Sequence, residues 1–485
     1  MSKTLILYKD VAPGAAEAAE VLASGASDNS SPELLPKGKE TGAPIITGEP
    51  GVWGLTGEYV PLDKQKLSFW SKTLSDRTCT FASEPHISVS FGDQYSSVGV
   101  TLVFDPASED YCAKVFVQWY RGETLLCERD FYPNAPTYFC EQTVEAFDRI
   151  EITLCKTRMP HRYAKLQQIV FGIYRSLDMT EIRNANITHE MSGISEELPV
   201  AKLSWVLDSK ENIDFLFQLK QPVEVHHEDQ LLGVYYIDSS ERQSQRVYNI
   251  ECCDAFGVLD ESPFAGGFYE SYSAAKLLHD IVGDEFVLDI QAADKKLSGV
   301  LMPSTKRAAM QQVLFAWMVC ASTDGTDKIR VFNPDNEVEE IGADKTFAGV
   351  SVATEAIITS VRVTAHTYAQ DENGNVEING VKYAEMTQEF VVENPNVTAN
   401  DKKKVVEVKE ATLVSPAIGQ QIAQRVYDYH MRRNTNSSSF VWSGQRLGDL
   451  LRQPTPWGTA TEGHLLKMDV KLSNTVVVSG EVKGV

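Results

Sequence analysis

The chain has 485 residues, with 45 Lys and Arg against 67 Asp and Glu, a formal net charge of −22 at pH 7. At ~150 residues per domain, that length predicts about three domains. So large an acidic excess excludes holding nucleic acid by a basic footprint and argues against docking on an anionic membrane surface.

The longest uninterrupted apolar run, from Val313 to Ala321, falls far short of the ~20 residues needed to cross a bilayer. At the N-terminus, Lys9 and Asp10 follow a very short apolar stretch, which is not a signal-peptide pattern. A chain without a membrane anchor, made and folded in the cytosol, is the expectation. Eight cysteines agree with it. Five (Cys79, Cys112, Cys127, Cys140, Cys155) share one segment, an odd number that closes no disulfide framework. Cys252 and Cys253 are adjacent and on a strand would face opposite ways. Free thiols packed as small hydrophobes are expected.

In chain order, a short strand at residues 5–8 precedes residues 11–50, which are rich in Ala, Gly, Ser, Pro and Glu. After Val21 and Leu22 large apolar side chains become scarce, so this stretch reads as an extended arm or loop. From Trp53 to Tyr174 short strands alternate with turn residues: His86-Ile87-Ser88-Val89-Ser90-Phe91, Val100-Thr101-Leu102-Val103-Phe104 and Ala113-Lys114-Val115-Phe116-Val117-Gln118-Trp119 are three of them. Their regular spacing and the lack of a helical period predict a β-sandwich.

Residues 178–260 are again strand-like, with Leu203-Ser204-Trp205-Val206-Leu207 and Val234-Tyr235-Tyr236-Ile237 as examples. Then the period changes to helical: Ala274, Leu277, Leu278, Ile281 and Val282 form a stripe closed by Gly283. A second helix is predicted from about Thr305 to Ala321 with Ser304 as its N-cap. The last third returns to β, with a long strand from Ile357 to Ala365 and hairpin turns at Asn373-Gly374 and Asn379-Gly380. One long helix interrupts it over residues 416–433. Ser415 is its expected cap, Pro416 its first residue, Ile418, Ile422, Val426 and Tyr429 its apolar stripe, and Arg432 and Arg433 its closing cations.

The usual chemistry is absent from the sequence. Of nine histidines, His226 and His227 are strand neighbours whose side chains diverge, and His279 beside Asp280 suits a helix surface or cap. No His-Glu-x-x-His or Cys/His cluster has ligand spacing. No nucleophile elbow or Ser-x-x-Lys stands in a fitting context, and Cys320, in an apolar run at the predicted end of a helix, reads as a packing residue. Acidic pairs Glu196-Glu197, Asp260-Glu261 and Glu339-Glu340 read as solvated loops, since glycoside hydrolysis needs two carboxylates set in space. No glycine-rich nucleotide loop follows a strand. Asn-x-Ser/Thr sites such as Asn186-Ile187-Thr188 have no meaning without secretion. No catalytic, cofactor-binding or metal-binding residue is therefore assigned. Trp53, Tyr59, Trp70, Trp119, Tyr120, Tyr132 and Tyr138 could stack on sugar rings, against a core reading in which a strand apolar on both faces is packed on both sides.

Three groups of segments carry a family resemblance. They are Leu67-Ser68-Phe69-Trp70-Ser71 with Ile87-Ser88-Val89-Ser90-Phe91 and Ser96-Ser97-Val98-Gly99-Val100; Leu198-Pro199 with Leu203-Ser204-Trp205-Val206-Leu207-Asp208 and Gly233-Val234-Tyr235-Tyr236-Ile237; and Asp254-Ala255-Phe256-Gly257-Val258-Leu259-Asp260 with Phe264-Ala265-Gly266-Gly267-Phe268-Tyr269. The chain resembles the tail baseplate hub, or tail-associated structural protein, of siphophages and prophages of Gram-positive hosts, a hub-like fold shared with contractile tails.

The resemblance implies a mainly β protein: a jelly-roll-like β-sandwich plus two tube-like β-barrels with an α/β insert. Residues 1–50 would be an N-terminal strand and arm, 51–177 the carbohydrate-binding-like sandwich, 178–262 the first hub barrel, 263–340 the insert and 341–485 the second hub barrel with its long helix. It further implies a homotrimer whose six barrels form a pseudo-sixfold ring at the virion tail tip, assembled in the host cytoplasm. The implied partners are a distal tail protein or tail tube ring and other tail-tip or fibre proteins, with DNA passing through the lumen without specific binding. Acidic side chains on the lumen would repel phosphates. Many family members continue into a lytic or fibre-like domain, whereas this sequence stops at Val485, so no cell-wall-degrading enzyme is expected. The alternative reading is a carbohydrate-binding receptor-recognition module that takes a host surface glycan through the sandwich aromatics.

Overall fold

The computed structural model describes residues 4–12, 14–28, 30–37, 49, 68–104, 110–210, 217–228, 230–334, 337–347, 349–398, 402–455, 457–458 and 460–484. Strands take 54% of the chain and helices 13%, so the fold is mainly β, with curled half-barrel sheets. Two units separate: residues 8–175, and residues 1–7 together with 176–485.

In the unit of residues 8–175 the main strands are β1 (His86–Phe104), β2 (Cys112–Arg121), β3 (Thr124–Phe131), β4 (Thr137–Thr157) and β5 (Lys165–Val170). The sheet runs Phe69–Trp70, β5, β1, β4, β2, β3, and Glu20–Ser24 also pairs with β1. Alternation puts Ile87, Val89, Ile150, Ile152, Val115, Val117 and Trp119 inside, while Ser88, Ser90 and Glu151 face outward. The strands are longer than the sequence pattern suggests, 19 residues in β1 and 21 in β4. Their register shifts between Ser90 and Gly99, and the middle of β1 is largely exposed while both ends are buried. Such bulged strands turn a corner from one layer to the next.

The stretch read as an extended arm is partly structured. Ala15–Ala18 makes one helical turn, Glu20–Ser24 joins the sheet, and Pro32–Lys37 forms a 3₁₀ turn that buries Leu35. Backbone pairing with β1 orders these residues where apolar content alone does not. Residues 38–48 and 50 of the arm lie outside the described residues.

The larger unit opens with β6 (Ile182–Glu190), β7 (Lys202–Asp208), β8 (Pro222–His227), β9 (Gln230–Arg242) and β10 (Val247–Cys253). Next come α1 (Ala255–Glu261), α2 (Ala274–Val282), α3 (Lys306–Trp317), β11 (Cys320–Ser322) and β12 (Ile329–Phe332). The last part holds β13 (Ser351–Thr354), β14 (Ser360–Gln370), β15 (Val376–Ile378), β16 (Val381–Glu393), β17 (Val405–Val408), α4 (Pro416–Met431), β18 (Asn434–Val441), β19 (Leu450–Pro454), β20 (Ala460–Lys471) and β21 (Val477–Gly484). The long sheet runs β13-β18-β21-β20-β6-β7-β10-β9-β8 and then the N-terminal strand, whose residues 4–7 belong to this unit. The strands expected as two barrels are thus halves of one ladder, joined where Asn186 to Glu190 of β6 pair with Lys471 to Lys467 of β20.

Local signals set the helices. In α2, the Ser273 hydroxyl accepts the Lys276 N–H, and Gly283 (φ 66°) returns its N–H to His279. α3 departs from expectation at both ends. Thr305, not Ser304, is the cap, and the helix stops at Trp317 because Met318 adopts a left-handed conformation and donates to Leu314 and Phe315. Val319, Cys320 and Ala321 are buried, and Cys320 opens strand β11 instead of ending a helix. In α4, Ser415 makes no side-chain cap; its carbonyl accepts from Ile418 and Gly419. That helix ends at Met431, so Arg432 and Arg433 lie beyond it and contact His464 and the Glu355 carbonyl.

Strand β14 begins at Ser360, not Ile357, because the Ile358 and Thr359 carbonyls are taken by Asn394. Asn379-Gly380 (φ 49° and 79°) makes the β15–β16 hairpin as expected. Asn373-Gly374 does not make a hairpin. Asp371 accepts the Asn373 N–H with its side chain and the Gly374 N–H with its carbonyl, and the chain crosses to the far side of β16.

Candidate functional site

Two polar nodes stand out in the larger unit. The first is a groove of about 740 Å³ lined by α4, Ile194, Met318 and the strand residues His464, Leu466 and Lys483. Arg425 of α4 donates to the Ile194 carbonyl at 3.3 Å and approaches Cys320 Sγ at 3.9 Å. Burial lowers its pKa and raises that of the Cys320 thiol. Lys483 Nζ sits 4.7 Å from the centre of the Tyr429 ring and 2.5 Å from Glu355. Burial pushes the Tyr429 phenol up to about 12. Arg432 donates to His464 Nδ1 at 2.5 Å. These three cations hold α4 and the residue that follows it against the Ile194 loop, Cys320 and the strands of His464 and Lys483. A protonated, buried thiol is a poor nucleophile.

The second node is a buried network. The Asp254 carboxylate caps α1 by accepting from Phe256 and Gly257, and it accepts the Thr323 hydroxyl at 2.7 Å. Next to Thr323, Asp324 accepts the Leu447 N–H at 2.9 Å and lies 3.5 Å from Arg330. A cavity of about 260 Å³ opens between Asp324, His189 and Arg446. Tyr235 Oη lies 2.8 Å from His189 Nε2 with both residues buried. Burial lowers the His189 pKa and raises that of Tyr235. A histidine facing a phenol that holds its proton tightly has no activated group to pass a proton to. The network ties β10, the turn after β11 and the loop after β18 together.

His226 meets Glu224 at 3.1 Å while His227 meets Thr4 at 2.8 Å, so the neighbouring histidines diverge. His279 contributes its carbonyl to the end of α2. Among the described residues no group of three or more His, Cys, Asp or Glu is placed to hold a metal. All eight cysteines are free, and Cys112, Cys140, Cys252, Cys253 and Cys320 are buried. The acidic pairs are not all solvated loops. Asp260 and Glu261 lie on α1 and pair with Arg307 and Lys220, because the helix turns them toward neighbouring cations. Glu339 and Glu340 lie on a strand, held by Gln445 and Arg452.

In the smaller unit, Trp119 is buried against Phe131 and Tyr120 lies under the Arg149 guanidinium at 4.6 Å. Trp70 is half-buried, 5.9 Å from Tyr163, with Lys165 Nζ 4.9 Å from its ring. Tyr132 is 62% exposed and Tyr138 half-buried. No two of these five rings stack on each other among the described residues. Trp53, Tyr59 and Leu67 lie outside the described residues. Sequence reasoning missed the fully buried Glu49, whose carboxylate meets Lys165 Nζ at 2.6 Å and the Tyr163 N–H at 2.8 Å. Lys165, set between Ala164 and Leu166, was the available signal.

No protein-family profile matches the chain, and no curated protein matches it. Solved structures similar to it include a tail protein from Neisseria meningitidis MC58, at 10% identity and TM-score 0.47, covering 64% of this chain and 93% of that one. The prophage MuSo2 43 kDa tail protein from Shewanella oneidensis shows 8% identity and TM-score 0.46, covering 64% and 96%. Prophage tail protein gp18 from Listeria monocytogenes EGD-e shows 11% identity and TM-score 0.42, covering 63% and 91%.

Proposed function

We propose that the chain is a structural subunit of a phage-type tail: a baseplate hub protein that trimerises into a pseudo-sixfold ring at the tail tip. Each subunit brings two half-barrels, one from residues 178–262 and one from residues 341–485, with the insert of residues 263–340 between them. The smaller unit is an appended sandwich. The observation that carries this reading is the β6–β20 seam, which holds both half-barrels of a subunit in one sheet. Three such subunits present six barrel halves around an axis, matching a hexameric tail tube on one side and a trimeric tip on the other. The ring lumen is part of the DNA channel, and its wall is predominantly Asp and Glu, in keeping with the net charge of −22.

Mass and image analysis of intact tails tests this reading. Three copies per particle at the tip are expected; a different copy number, or a ring with a basic lumen, overturns it. The role is non-catalytic, so the pure protein is expected to release no peptidoglycan fragments.

A second reading takes the smaller unit as a glycan-binding module, favoured by the exposed Tyr132 and the half-buried Trp70 beside Lys165. It predicts glycan-array binding that disappears with Trp70→Ala or Tyr120→Ala; no binding to any host polysaccharide leaves the sandwich as a spacer or docking collar.

A further inference from the structure

Among the described residues, the four-stranded sheet ordered β15-β16-β14-β17 leaves one side of β17 and most of one side of β16 without a strand partner. On one side, β15 covers β16 only from Val381 to Tyr383, whereas β14 covers the other side of β16 from Tyr383 to Glu393. From Ala384 to Glu393, no strand pairs with the β15 side of β16 among the described residues. Glu385, Glu389 and Glu393 share one face of this strand by the two-residue period. His366 and Tyr368 hold Glu385 and Arg362 lies 3.8 Å from Glu389, while Glu389 and Glu393 remain exposed, as are Met386 (59%) and Val391 (38%).

The opposite edge is β17, which pairs with β14 over Val405–Val408 alone. Lys402, Lys403, Lys404 and Lys409 flank it, all exposed; Glu407 within it is paired to Lys409 at 2.6 Å, and the exposed Glu410 follows. In a chain of net charge −22, this is a sharp local reversal of sign.

A long, exposed edge strand with apolar side chains invites another strand, and charge on the edge decides which one. Pairing β16 with a second β16 sets glutamate rows against each other, and pairing β17 with β17 does the same with lysines. Only β16 against β17 matches. We propose that β16 of one copy pairs with β17 of a second copy of this chain, so that the sheet continues head to tail between subunits. This rests on the ring reading above and names the contact that builds the ring. Two different edges make a heterologous contact, which closes into a ring where a two-fold dimer would need one surface meeting itself. Main-chain hydrogen bonds supply the adhesion, and Glu389 and Glu393 against Lys402 to Lys404 set polarity and register.

The test uses the full chain in native mass spectrometry and sedimentation velocity, with circular dichroism as the check of folding. Four proteins are compared: wild type, Lys402→Glu/Lys403→Glu/Lys404→Glu, Glu389→Lys/Glu393→Lys, and the combined reversal. Wild type is expected to form trimers that weaken with salt. Each single-edge reversal should weaken association on the order of tenfold or more, and the combination should regain it. Trimers of unchanged strength in all four proteins overturn this contact while leaving the ring reading in place. A wild-type two-fold dimer, or a monomer even when mixed with purified tail tubes, overturns the contact, and copy number in intact tails then judges the ring reading separately.

Discussion

The Thr323 hydroxyl reaches the Asp254 carboxylate at 2.7 Å, joining the strand end that opens α1 to the turn that follows β11. Both residues are buried, so the bond is made away from competing water. One carboxylate therefore serves as helix cap and as crosslink between two parts of the sequence.

Replacing Asp254 by Ala removes the acceptor for the Phe256 and Gly257 N–H groups and strands the Thr323 hydroxyl. A loss of about 3 kcal/mol is expected, from one cap and one buried hydrogen bond. Urea unfolding of the full chain is the measurement, and a midpoint within error of wild type refutes the crosslink.

The same residue gives the stability a pH signature. Burial pushes the Asp254 carboxyl up to about 6, against an unfolded value of ~3.9. Between these values the folded chain holds the proton more tightly than the unfolded one. Its contribution is thus full below about pH 4 and is lost as pH rises through about 6. Asp449, also pushed up to about 6 by burial, acts in the same direction. The stability of wild type relative to Asp254→Asn should fall by roughly 2–3 kcal/mol from pH 4 to pH 7. Parallel curves for the two proteins would contradict this.

Lys165 and Glu49 form a buried ion pair at 2.6 Å. Removing only the lysine, as in Lys165→Met, leaves a buried carboxylate facing a lost partner and should cost about 3–5 kcal/mol. The double variant Glu49→Leu/Lys165→Met should recover most of that loss. A double-mutant cycle reads the coupling directly, and additive losses would mean the two charges act independently.

A Cβ built on Gly419 would lie 2.4 Å from the Phe390 ring, so α4 and β16 meet at a position with no room for a side chain. Gly419→Val should destabilise by about 1–3 kcal/mol through overpacking. It should also disturb the β16 edge, visible as faster amide exchange along residues 384–393.

Native-state labelling should sort the eight free thiols by burial. Cys79 and Cys127, both half-buried, should react first. Cys155 and Cys253, pushed up to about 11 by burial, should react slowly, and Cys112, Cys140, Cys252 and Cys320 only after unfolding. Peptide mass mapping of the alkylated chain reads this order.

Features encoded within a few residues were legible in the sequence. The apolar stripe from Ala274 to Val282 and the closing Gly283 marked α2, whose Ser273 cap the structure added, and the alternation around Ile87 and Val115 places the strands of the smaller unit. The end of α3 was hidden because Met318, not a glycine, takes the left-handed conformation, and because the apolar run continues into a buried strand. The Ser415 cap failed because a serine carbonyl can begin a helix whose hydroxyl does nothing. The polar nodes were invisible for a different reason. Asp254 with Thr323, Asp324 with Leu447 and Glu49 with Lys165 are bound by tertiary packing, and no local period marks them.

The seam between β6 and β20 links Asn186 to Lys471 and Glu190 to Lys467. On a ribosome adding about 5–20 residues per second, β6 must wait tens of seconds with one side bare before its partner strand emerges. The sheet cannot close before residues 467–471 have been translated, which delays a subunit's competence for assembly until that point.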